Sequence, residues 1–76
     1  MKIKYAIVNV RISSPYNETL SKPFRVKEGQ SYITQGMNFG KALIADFVEQ
    51  HYSNPTPKDY RFIESISEIH VKRFSF

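Results

Sequence analysis

The stretch KIKYAIVNVRI, residues 2–12, restricts the fold more than any other segment of the chain. Read with a period of two, it puts Ala6, Val8, Val10 and Ile12 on one face. Ile3, Tyr5, Ile7, Asn9 and Arg11 fall on the other. Apolar residues on both sides predict a central strand with a neighbour at each edge. The segment SEIHVKRFSF, Ser67 to Phe76, has the same period. It sends Ile69, Val71 and Arg73 one way and His70, Lys72, Phe74 and Phe76 the other, with a strand expected from about Glu68 to Phe74.

Between these two lie the remaining elements. SSPYNETLS, Ser13 to Ser21, is polar and rich in breakers, and reads as a long loop. KPFRVKEG reads as a short strand with Phe24 and Val26 inward and Arg25 and Lys27 outward. Pro23 has no N–H for a ladder bond and places that strand at an edge. In QSYITQGMNFGKALIADFVEQHY, Gly40, Leu43, Ile44, Phe47, Val48 and His51 form a helical stripe. Ser31, Thr34 and Asn38 are all competent N-caps, and Gly36 weakens a helix that runs through it. A helix from about Met37 to Tyr52 is therefore expected. Pro55 and Pro57 end it, and YRFIESI reads as a connection holding at most one helical turn.

These readings predict one α+β domain over residues 1–76. Its layout is two-layer ββαβ: a three-stranded antiparallel sheet in order 2-1-3, with one helix packed on one face. The expected core joins Ala6, Val8, Val10, Ile12, Phe24, Val26, Ile69 and Val71 to Leu43, Ile44, Phe47 and Val48.

The chain carries a net charge of +4 and no cysteine. Disulfides and thiolate metal sites are excluded on that ground. Lys2, Lys4, Arg11, Lys22, Arg25 and Lys27 face only Glu18 in the first third of the chain, and Lys72 and Arg73 close it. Most acidic residues lie between. A basic sheet backed by a more acidic layer orients the molecule toward a charged partner. No apolar run approaches ~18 residues, and the charged start of the chain does not read as a signal peptide. A cytoplasmic location is expected.

The helix leaves one sheet face uncovered. Tyr5, Arg11, Arg25, Lys27, His70, Lys72 and Phe74 are the candidate partner-binding residues on it, with the Ser13–Ser21 loop at the rim. Tyr and Arg anchor protein interfaces well. Aromatic rings beside cations also stack on bases and hold phosphates, so a single-stranded nucleic acid is the alternative partner. The plainer reading is that an open antiparallel face in a basic chain carries such residues by default. A partner protein with an acidic surface is the first expectation. The two edge strands also allow pairing with a second copy.

No catalytic motif is present. GMNFG lacks the further glycines or the Gly-Lys-Ser/Thr of a phosphate loop, and reads as a helix start close to the sheet. His51 and His70 have no nucleophile or carboxylate spaced for catalysis, and no further ligands for a metal. A non-catalytic binding protein without cofactor or metal is expected.

In size, layout and absence of cysteine the chain resembles the small proteins encoded by phages and other mobile elements, anti-CRISPR proteins foremost. The resemblance spans the chain and rests on no signature residues. It implies an inhibitor or adaptor that blocks a host complex by occupying a surface. Many such inhibitors are acidic DNA mimics. A charge of +4 rules out that route and points to docking on acidic protein surface or on bound nucleic acid.

Overall fold

The computed structural model describes residues 3–74. Its elements run β1 (Tyr5–Ile12), β2 (Glu18–Arg25), α1 (Tyr32–His51), α2 (Pro57–Ser65) and β3 (Ser67–Arg73). The strands form an antiparallel sheet in the order β2-β1-β3. The layout is the expected one, with a second helix added between α1 and β3.

β1 is central, as its two-sided pattern requires. Ala6, Val8, Val10 and Ile12 are fully buried beneath the helical layer. Phe24 joins them from β2, Ile44, Phe47 and Val48 from α1, and Ile63 from α2. Leu43, Val26, Ile69 and Val71 pack at the edge of this core and are half-buried. Ile63 was not among the expected core residues, because the segment that holds it read as a connection. That segment is a nine-residue helix. Pro57 begins it, at the position where a missing N–H costs nothing. Asp59 Oδ2 accepts from the Thr56 N–H at 2.8 Å and from Thr56 Oγ1 at 3.2 Å, which fixes the first turn.

Two further boundaries differ from expectation. β2 starts at Glu18, so the loop before it is residues 13–17 and not Ser13–Ser21. The Ser13 carbonyl accepts from the N–H groups of Tyr16 and Asn17 at 3.1 and 3.2 Å, and Asn17 adopts φ 50°. The chain thus reverses early and all eight residues of β1 find partners on β2. α1 begins at Tyr32 rather than Met37, with Ser31 as its N-cap; Ser31 Oγ accepts from the Thr34 N–H at 3.4 Å.

Gly36 and Gly40 lie inside this helix, not at its start. A Cβ on Gly36 would stand 2.5 Å from Val71 Cγ1, and one on Gly40 would stand 2.6 Å from Ile69 Cγ2. The close approach to the sheet is the part of the sequence reading that holds. The glycines lose helix propensity and let α1 sit directly on β3.

Candidate binding face of the sheet

The strand register determines which side chains share the uncovered face. Tyr5 stands opposite Arg25, Ile7 between Pro23 and Lys72, Asn9 between Ser21 and His70, and Arg11 between Thr19 and Glu68. These residues alternate with the buried set, so they occupy the side away from the helices. Phe74, one residue beyond β3, donates its N–H to the Tyr5 carbonyl at 2.9 Å. It is 72% exposed, and Tyr5 is 42% exposed.

Six of the seven candidate residues are brought together this way: Tyr5, Arg11, Arg25, His70, Lys72 and Phe74. Lys27 lies two residues past the end of β2, in the approach to the turn at Gly29, where φ is +78°. It borders an open depression of about 530 Å³ that Ile3, Lys4, Arg25 and Gly29 also line. Lys27 therefore flanks the face at one end. At the other end Ser13, Ser14 and Asn17 of the loop line an open depression together with Arg11, so part of the loop does border the face. Tyr16 turns the other way and packs on α1. Phe76, which the alternation assigned to this face, falls outside the described residues.

The face has an internal order. Ile7 is half-buried at its centre, with Tyr5 and the exposed Ile3 toward one end. Arg25 and Lys72 flank this apolar line from the two edge strands. Toward the far end Glu68 adds a negative charge beside Arg11 and places Oε2 3.4 Å from His70 Nε2, both side chains being well exposed. Lys22 takes no part: it lies over the Phe39 ring on the helical side, 4.6 Å from the centroid.

The charges divide by layer as the sequence implied. The strands hold Arg11, Lys22, Arg25, Lys72 and Arg73 against Glu18 and Glu68. The helices hold Lys41, Lys58 and Arg61 against Asp46, Glu49, Asp59 and Glu64.

Compared with family models, with curated proteins and with solved structures, the chain matches none.

Several aromatic groups away from the face have structural partners. His51 stacks on Phe47 at 4.0 Å between centroids and places Nδ1 3.0 Å from the Phe47 carbonyl oxygen. Tyr16 meets Phe47 edge-on at 5.1 Å, and its hydroxyl is 2.9 Å from that of Tyr52. That hydrogen bond, with partial burial and the nearby phenol and Asp59, pushes Tyr52 up to about 12. Among the described residues, no three His, Cys, Asp or Glu side chains come together as a metal site. No helix among them is long and apolar enough to cross a membrane.

Ile7 and Pro23 belong to the face but were not among the candidate residues. The signal for Ile7 was present in the period of β1. The alternation of Phe24 inward and Arg25 outward likewise put Pro23 outward, and the register sets it opposite Ile7.

Proposed function

We propose that this chain is a non-catalytic binding protein that docks the open face of its sheet on an acidic surface of a partner protein. It acts there by occupancy, as an inhibitor or adaptor; a block on a host complex of the anti-CRISPR kind is one form of this. The supporting observation is the face itself. Ile3, Tyr5, Ile7 and Phe74 supply an apolar line, and Arg11, Arg25 and Lys72 surround it. An apolar centre within a polar rim is the anatomy of a protein interface. A nucleic-acid groove spreads its cations along a backbone path. The reading places the protein in the cytoplasm, where a chain without cysteine needs no oxidising surroundings.

The deciding experiment is a tagged pull-down from bacterial lysate, with and without nuclease, comparing the wild type with the double variant Tyr5→Ala, Arg25→Glu. One stoichiometric protein that survives nuclease and is lost with the variant is the expected result. Loss of every protein on digestion would move the face to nucleic acid. Its binding should then fall with salt at a log–log slope near ~0.7 per phosphate contact. Full retention by the variant would remove this face as the binding site.

A further inference from the structure

The two edges of the sheet end differently. In β2 the even-numbered residues bond to β1, a pattern that Val26 continues by donating its N–H to the Lys4 carbonyl at 2.8 Å. The odd-numbered residues therefore direct their backbone groups outward, and from Pro23 to Lys27 this outer row is blocked. Pro23 has no N–H to offer. Beyond it the buried side chain of Gln35 behaves like a peptide group of a further strand. Its Nε2 donates to the Arg25 carbonyl at 3.0 Å, and its Oε1 accepts from the Lys27 N–H at 3.0 Å.

β3 has no such closure. The N–H of Phe74 reaches Tyr5 and the carbonyl of Ile66 accepts from Ser13, so the even-numbered residues are the ones turned toward β1. The backbone N–H and C=O of Ile69 and Val71 point away from the sheet. They meet no hydrogen-bonding partner among the described residues.

We propose that β3 is a docking edge for a second copy of this chain. The two β3 strands pair antiparallel about a twofold axis at His70 and join both sheets into one. The occupant is argued from charge complementarity. Edge strands commonly carry a lysine because two like edges then repel. Here Glu68 stands on the same face as Lys72 and is placed symmetrically with it about His70. Antiparallel self-pairing at this register sets Glu68 against the second copy's Lys72, and Lys72 against its Glu68. It also pairs Ile69 with the second copy's Val71 through the free backbone groups, twice. A shift of the axis to Val71 would set His70 against Lys72 and Ile69 against Arg73. A shift to Ile69 would leave Lys72 opposite Ile66. Only the His70 register satisfies both the charges and the apolar pairs.

The contact is isologous and closed, as a twofold dimer requires. Ile33, 52% exposed, lies three residues before Gly36 on the same helical face, and Gly36 is the point where α1 touches Val71. It supplies apolar surface beside the edge. The open faces of the two copies would then form one continuous platform. This inference does not depend on the partner proposed above, since it is tested on the chain alone.

The test combines sedimentation equilibrium with amide exchange. The wild type is expected at twice its 8.9 kDa mass, with the Ile69 and Val71 amides protected more strongly as concentration rises. Glu68→Lys or Lys72→Glu alone turns two attractive cross-strand pairs into two repulsive ones, and should weaken the dimer about tenfold or more. The double variant Glu68→Lys, Lys72→Glu restores both pairs and should recover the dimer. A monomer at all concentrations would overturn the proposal. So would a dimer in which these two amides stay unprotected, or one that the single reversals leave intact. Failure of the double variant to recover, with its circular dichroism spectrum native, would exclude the register.

Discussion

Gly36 shows how one residue sets the spacing of two layers. In isolation it is a poor helix residue, costing about 1 kcal/mol against alanine. In place it meets the methyls of Val71, whose branched side chain has little rotamer freedom to yield. Gly36→Ala should therefore destabilise the protein despite the gain in propensity, since overpacking costs about 1–3 kcal/mol. A shift of the urea midpoint to lower concentration is the expected result; a rise would show that α1 can lift off β3 at little cost. Gln35, its neighbour, is the only polar residue in the buried set among the described residues. Both ends of its amide are used on the end of β2. A buried polar side chain bonded through both its donor and its acceptor fastens two elements at one distance.

At the scale of elements, the aromatic cluster at the end of α1 holds the first loop. Tyr16 reaches from that loop to Phe47, His51 and Tyr52. The bond to Tyr16 keeps the Tyr52 phenol protonated, with its pKa raised to about 12 from 10.0. A folded-state pKa above the unfolded one means that the native state holds the proton more tightly. The stability that this group contributes is complete below pH 10 and is lost as the pH climbs through about 12. Tyr52→Phe should thus be less stable than the wild type at pH 9, and the gap should close by pH 12. Urea melts of both proteins across that range would show it. A gap that stays constant would mean that the hydroxyl pair does not couple the loop to the helix. The same cluster accounts for His51. Its ring closes the packing at the C-terminal end of α1, where a basic group also favours the helix dipole.

The whole molecule is thin, with extents of 45 × 20 × 17 Å. The short dimension holds one sheet and one helical layer and leaves no third layer for the open face. A chain of this size has a small core and a marginal net stability of about 5–15 kcal/mol. Each fully buried side chain therefore matters. Ile63 is the buried residue that α2 adds to that core, with Tyr60 packed against its edge. Ile63→Ala should cost about 2–5 kcal/mol, a large share of the total. Thermal unfolding would check this: a melting temperature lowered by many degrees is expected. A shift within a degree or two would show α2 to be an appendage and not a part of the core. The division of charge by layer also belongs to this scale. It sends the sheet toward an acidic partner first, while the apolar line through Ile7 decides whether the encounter lasts.

Much of this was legible in the sequence. The period of β1 gave its central place, and the period of β3 separated Ile69 and Val71 from His70 and Lys72. Both patterns are local, because alternate residues of a strand face opposite ways whatever lies beside them. The stripe in α1 likewise gave Ile44, Phe47 and Val48 as core. Three things came only with the tertiary structure. Glu18 to Ser21 form a strand with little apolar pattern of their own, because pairing with β1 supplies the reason. Gly36 sits inside a helix because Val71 requires the space. α2 forms from Pro57 onward because the core takes up Ile63. The state of the two sheet edges was decided at the same level. Whether a backbone N–H points at a neighbour or at open solvent depends on register, and register is a property of two strands rather than of either sequence alone.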